Sequence, residues 1–343
     1  MPSSPPPGPG RTGDRTKQRR RASAAAVARN AEGLATCTGR AVKIAPDDSP
    51  RRPLPVSAVP AGPARIRPVG ALRLLTWPAL EASGADAAVT ARSGGVSSGP
   101  YAKLNLSLSV GDDPARVLEN RRRLADALRV STGDFIFARQ VHGAGVRIVG
   151  EPDRGSGAFS LGDAVPDVDA LVTASAGLVL AVLTADCVPI VLHDPVAGVL
   201  ACVHAGWRGT VAGVCAAAVA AMQSLGSRPS DVLAGVGPAI APGRYQVGAD
   251  VHQAVTQAFG SAADAFLRPD SVAGHWLLDL WAANRFTLRE AGVPGAQIHV
   301  TDLPTGPTER ASRGSFFSDR AARPCGRLAL VARLRAPGQD PWV

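Results

Sequence analysis

The chain has 343 residues, 45% of them hydrophobic, enough to bury a full core as one large domain or two small ones. Its formal charge of +9 invites a nucleic-acid reading, but residues 1–70 carry 13 Lys and Arg against 4 acids, which leaves 24 of each sign for 71–343 from totals of 37 and 28. The globular part therefore lacks the electrostatic footprint of a nucleic-acid binder; five scattered cysteines without CxxC spacing exclude a disulfide framework, and no long charge-free apolar stretch offers a membrane span.

Residues 1–70, rich in Pro, Ala, Gly and Arg, read as a disordered basic extension. The apolar stretch Ala22–Ala35 is broken by Arg29, Asn30 and Glu32, so it does not form a signal peptide, and the cytoplasm is the expected compartment. A single catalytic domain is expected over 71–343. Ordered structure begins at Leu72–Val89, and Gly94–Pro100 is a small-residue loop able to approach a ligand closely. A helix is predicted over Pro114–Val130, with Asp112-Asp113-Pro114 supplying a cap followed by Pro in the first turn, Val117, Leu124 and Leu128 on one side and the Arg121–Arg123 run largely on the exposed face.

Two short strands are expected within Phe135–Val149, around Gln140-Val141-His142-Gly143. The apolar runs Leu178–Leu183 and Val188–Leu192 have the uninterrupted character of buried strands and are split by the polar corner Thr184-Ala185-Asp186-Cys187. A third run, Val199–His204, follows a turn at Asp194-Pro195 and leads into an Ala-rich helix over Gly209–Leu225. Helices at Ala249–Phe259 and Leu277–Ala291 and a last strand at Arg327–Val331 complete the reading. Cys202 and Cys215 read as core residues, His193 as a turn residue, and His252, His275 and His299 as surface residues without a role.

The polar residues with chemical potential gather at predicted strand ends. His142 lies in a Gly-flanked turn, Cys187 in a corner between two buried runs, and His204 closes a third. Two imidazoles and a thiolate suit zinc, and three protein ligands leave a fourth position open. The spacing contains no short metal motif, so by itself it favours two hydrogen-bonded histidines and a buried thiol.

A series of motifs decides between these readings. Arg92-Ser-Gly-Gly-Val-Ser97, Tyr101–Leu106, Gly111–Pro114 with Asn120-Arg121, Gln140–Gly143, Asp169–Thr173, Thr184–Ile190, His204-Ala-Gly-Trp-Arg-Gly-Thr210, Gly237–Ile240 with Tyr245–Gly248, and Phe316–Ser318 with Gly326-Arg327 run in order through residues 72–333. Together they resemble the laccase-domain purine nucleoside phosphorylase family, formerly labelled multicopper polyphenol oxidoreductase and also described as a peptidoglycan-editing factor family. The resemblance implies an α+β fold of layered mixed β-sheets flanked by helices, similar to cysteine-hydrolase-like proteins. It implies zinc on His142, Cys187 and His204, with copper as second choice. It also implies phosphorolysis of adenosine, inosine, guanosine and methylthioadenosine with inorganic phosphate, and deamination of adenosine.

Within that frame, Asp186 is the candidate proton shuttle beside Cys187, Arg208 the phosphate clamp, Asn105 and Gln140 ligands of sugar or base, and Phe317 a stacking surface for the purine. The expected partners are small nucleosides and phosphate, with no membrane and no obligate protein partner. Rival readings are a peptidoglycan-precursor editing hydrolase, a copper-dependent polyphenol oxidase, poorly supplied with ligands by six His and two Met, and a zinc-stabilised non-catalytic scaffold. The last is motivated by departures from the family pattern at Thr301-Asp302, Asp319 and Cys325-Gly326-Arg327.

Overall fold

The computed structural model describes residues 64–307 and 314–342. A first hairpin pairs β1 (Arg65–Val69) with β2 (Leu72–Thr76). Residues 65–69, assigned to the extension from composition, are thus a paired strand, and ordered structure begins earlier than residue 71; the rest of the expected extension, 1–63, lies outside the described residues. After the single-turn helix α1 (Pro78–Ala82) comes β3 (Ala85–Thr90), then the helix α2 (Pro114–Leu128). As expected, Asp113 caps α2 by accepting from Ala115 N, and Pro114 opens it.

Next come β4 (Phe135–Phe137), β5 (Val146–Ile148), β6 (Ala170–Thr173), β7 (Val179–Thr184), β8 (Val188–Asp194) and β9 (Val199–Ala205). The helix expected over 209–225 is two helices, α3 (Trp207–Val211) and α4 (Val214–Ser224), because Gly213 takes a positive φ of 83° that ends the first and turns the chain into the second. The remainder comprises β10 (Leu233–Val236), β11 (Gln246–Val247), α5 (Ala249–Phe259), β12 (Leu267–Pro269), β13 (Trp276–Leu278), α6 (Leu280–Glu290), β14 (Ile298–Val300) and β15 (Leu328–Leu334). Helix α6 begins three residues later than expected: Trp276–Leu278 pairs as a strand, and Asp279 caps the helix by accepting from Ala282 N.

The strands form two six-stranded mixed sheets, ordered β1-β2-β3-β15-β7-β4 and β14-β10-β8-β9-β6-β5, and a small sheet β11-β13-β12. Alternation within single strands shows how the layers stack. In β9, Val199, Ala201 and Val203 face a cluster shared with Val214, Ala218 and Met222 of α4, while Leu200 and Cys202 face the other sheet. In β7, Leu180 and Val182 meet that second face, while Val179 and Ala181 pack on Leu124 and Leu128 of α2. The order is helix, sheet, sheet, helix, and strands buried on both faces are why the sequence shows continuous apolar runs there. Among the described residues, no helix is long and apolar enough to cross a membrane.

Within α2 the arginine run is divided. Arg122 and Arg123 pair with Glu119 at the surface, but Arg121 is buried. Its guanidinium donates to the carbonyls of Leu106, Gly157 and Ala158 and stacks 3.9 Å above the Phe137 ring. The helical period carries position 121 inward with Val117 and Leu124, so the run is largely exposed as expected, with Arg121 the exception.

Candidate metal centre

Strand register assembles the site. Antiparallel pairing sets Pro189 of β8 opposite His204 of β9, so Cys187, just before β8, lies beside the end of β9. On the other side β6 pairs Ala170 with Val203, which brings Asp169 against His204; His204 N donates to Asp169 O at 2.7 Å. The loop between β4 and β5 then folds over this corner, with Asp169 N donating to Gly145 O. His142, Cys187 and His204 converge so that their ligand atoms lie within 4.8 Å of one another, the solvent side being His142 and the buried side His204.

Asp169 is the fully buried hub. One carboxylate oxygen accepts from His142 N at 3.0 Å and His204 Nδ1 at 2.7 Å; the other accepts from Val141 N at 3.2 Å and Gly143 N at 2.7 Å. This fixes the His142 loop and leaves His204 Nε2 as the nitrogen for a metal. Gln140 adds a second anchor, accepting from Leu183 N and donating to Leu183 O as a strand neighbour would. Glycines permit the closeness: a Cβ at Gly206 would sit 2.9 Å from Cys187 Sγ and 3.1 Å from His142 Cδ2. His142 and Asp186 hold positive φ values of 61° and 87°, a conformation residues other than glycine adopt at a cost, commonly at functional sites.

Electrostatics match a metal-ligand set. Burial alone raises the Cys187 thiol, but His204 and His142 beside it overcome that and bring it down to about 6. Burial opposes charge on His204 too, yet Cys187 and Asp169 hold its value up at about 9. Two imidazoles and a readily formed thiolate, one imidazole oriented by a buried carboxylate, are a zinc donor set. Among the described residues this is the one group of three or more His, Cys, Asp or Glu side chains able to share a metal, so they supply no second centre of the kind multi-copper chemistry needs.

The three ligands line a cavity of about 740 Å³. Its walls also carry Asp186, Asp319, Tyr245 and six arginines at 121, 139, 208, 320, 323 and 327. Gln140, Asp186 and Arg208 thus sit where the sequence reading needs them, but the Asp186 carboxylate is committed: one oxygen accepts from Thr305 Oγ1 and the other from Arg320 N at 2.7 Å. These bonds make it an anchor of the segment before β15. The Gln140 amide bonds Leu183 through both its polar atoms and so positions the His142 loop, with one N–H and one lone pair to spare.

Asn105 and Phe317 are not at the cavity. Asn105 is fully buried, its oxygen accepting from Ser107 N and Arg327 N and its amide donating to Ser107 O and Asp112. Phe317 is buried beneath Arg92, and its ring fills the space a Cβ on Gly326 would need. Both are corrected to structural residues. His193, expected in a turn, is a buried residue of β8 whose Nδ1 is 2.9 Å from Ser83 Oγ, and His299 lies in β14 rather than a loop. Cys202 and Cys215 are core residues as expected.

Sequence reasoning missed Asp169, Tyr245, Arg320, Arg323 and Arg327 as site residues. A carboxylate directly before the wholly apolar strand 170–172 is a signal for the first, since an unpartnered acid is costly there. For the arginines no signal precedes folding, because their convergence depends on the loop before β15. Asp319, at a position noted as departing from the family pattern, pairs with Arg323 and Arg327.

An α+β core thus presents a His-Cys-His group able to hold a metal on the wall of an arginine-rich cavity. The multi-copper polyphenol oxidoreductase laccase family model matches residues 86–335, and the chain belongs to that family. It is 41% identical to purine nucleoside phosphorylase YlmD of Geobacillus stearothermophilus over 254 residues, 73% of this chain and 91% of the relative. It is 40% identical to adenosine deaminase RL5 of an unknown prokaryotic organism over 220 residues, 64% of this chain and 82% of the relative. The crystal structure of the Geobacillus YlmD superposes with a TM-score of 0.74 at 38% identity, covering 80% of this chain and all of that one.

Proposed function

We propose that the chain is a zinc-dependent purine nucleoside enzyme. It cleaves adenosine, inosine, guanosine and methylthioadenosine with inorganic phosphate to the free base and ribose 1-phosphate or its methylthio analogue, and it deaminates adenosine. The observation that carries the reading is the His142, Cys187 and His204 cluster on the wall of a 740 Å³ arginine-rich cavity. Relatives named for both activities, at 40–41% identity, support it.

Zinc on these three residues would supply Lewis acidity and acidify a water molecule. The protein's own contribution is positional. Asp169 holds His204 in one tautomer and ties down the His142 loop, while the half-enclosed cavity limits water around the reacting groups. In phosphorolysis a phosphate oxygen bonds to the anomeric carbon as its bond to the purine nitrogen breaks; the bonding pair leaves with the base, which takes up the proton that hydrogen phosphate gives up. Arg208, stacked on Trp207 at 4.4 Å and without a carboxylate partner among the described residues, is suited to hold the anion.

We assign the activity to the unit that starts at β1. Alignment to 91% of the Geobacillus relative uses only 73% of this chain, which supports leaving the N-terminal extension out of the reaction. The four described cysteines are unpaired, in keeping with a reducing cytoplasm.

The test is zinc-loaded protein incubated with adenosine and phosphate, its products separated by chromatography, beside Cys187→Ala. Adenine with ribose 1-phosphate, or inosine, from the parent and neither from the variant is the expected result. One zinc per chain without turnover of any purine nucleoside would sink the catalytic reading in favour of a zinc-stabilised scaffold.

A further inference from the structure

The motif Tyr245-Gln-Val-Gly248 has no part in the metal site, yet Tyr245 lines the same cavity. Its ring packs beneath Arg320, whose guanidinium carbon lies 5.1 Å from the ring centre and whose Nη1 donates to Gln246 O at 3.0 Å. Cys187, Asp186, Arg208 and Arg320 line that cavity with it. Arg208, Tyr245 and Arg320 thus line one cavity together with the metal-binding Cys187.

Their charge is not neutralised locally. Asp186 is spent on Thr305 and the Arg320 backbone amide, and Asp319 on Arg323 and Arg327. Neither Arg208 nor Arg320 has a carboxylate partner among the described residues, and the cavity lining holds six arginines against two aspartates. Uncompensated guanidinium groups beside a hydroxyl donor, on a concave wall, are how proteins hold a tetrahedral oxyanion.

We propose that Arg208, Tyr245 and Arg320 form a subsite for a phosphate dianion, with Arg320 and Tyr245 as binding residues additional to Arg208. The inference rests on the purine nucleoside reading for its biological meaning, because phosphate held there stands beside the metal-site wall, where the nucleoside must lie. Asp186 then acts as a positioning residue, fixing Arg320 through its backbone amide.

The test is calorimetric titration of the zinc-loaded full chain with inorganic phosphate, for the parent, Arg320→Gln, Tyr245→Phe and a distant control, Arg228→Gln, each checked for zinc content and circular dichroism. Loss of one charge-assisted contact weakens binding about ten- to a hundredfold, so Arg320→Gln is expected to fall in that range, Tyr245→Phe to lose about three- to tenfold, and the control to match the parent. In turnover assays the same factors should appear in the KM for phosphate, with a much smaller change in the KM for adenosine. No phosphate binding by the parent, or equal binding by the parent and Arg320→Gln, overturns the subsite. Phosphate binding that depends on Arg320, with no nucleoside turned over, upholds the subsite and refutes the nucleoside reading instead.

Discussion

Replacing Asp169 by Asn is the sharpest probe of how the metal site is held. The carboxylate accepts four hydrogen bonds, two on each oxygen, at 2.7 to 3.2 Å. The amide has one acceptor. If its oxygen serves His142 N and His204 Nδ1, its NH2 group confronts the Val141 and Gly143 N–H groups; if it is flipped, NH2 faces His204, which must move its proton to Nε2 and surrender the lone pair meant for the metal. Either way none of the four donors keeps a charged acceptor and at least one backbone N–H keeps none, a cost of about 3–6 kcal/mol if it equals two charge-assisted bonds at about 1.5–3 each, partly relieved by loop movement. Zinc affinity should fall about 10- to 100-fold, the range usual for losing an orienting partner. Competition with a chromophoric chelator measures the affinity, and thermal unfolding in chelator reports the metal-independent part. An affinity within threefold of the parent would refute the argument that Asp169 organises the site.

Gly206→Ala places a methyl 2.9 Å from Cys187 Sγ, so zinc per chain after dialysis should drop well below one while the secondary structure is kept; full occupancy by metal analysis would contradict the packing argument. Arg121→Leu leaves the carbonyls of Leu106, Gly157 and Ala158 without their donor and should cost about 3 kcal/mol in denaturant unfolding, at about 1 for each carbonyl stranded. Burial keeps His193 neutral by lowering its value from 6.5 to about 3. Because the folded value is the lower one, the unfolded chain takes up the proton first, and stability falls as pH drops from 6.5 toward 3 by about 1.4 kcal/mol per unit. His193→Asn should flatten that slope relative to the parent, and parallel stability curves would exclude it.

The legibility of the site followed the range of the interactions. His142, Cys187 and His204 were identifiable because each sits at a strand end inside a distinctive motif, and strand ends are where side chains from separate strands meet. Asn105, Gln140 and Phe317 sit in motifs just as distinctive, yet each has a structural part: Asn105 bonds backbone and the Asp112 carboxylate, Gln140 bonds the Leu183 backbone, and Phe317 fills a space that Gly326 leaves. A motif residue that holds a loop and one that holds a ligand look alike until their partners are known.

Sequence alone determined the two-faced burial of the central strands, the capped helix after Asp113, the soft ligand set and the family. Those follow from local periodicity, from the few residue types that bind a metal, and from motifs kept in order. Tertiary structure decided which carbonyls and ring receive the Arg121 guanidinium, that 209–225 breaks at Gly213, that Asp186 bonds Thr305 and the Arg320 amide, and that Arg208, Tyr245 and Arg320 line one cavity. Each of these depends on contacts between segments from 15 to 134 residues apart or on a single backbone torsion, and no local pattern in a chain encodes which distant carbonyl or ring will be waiting.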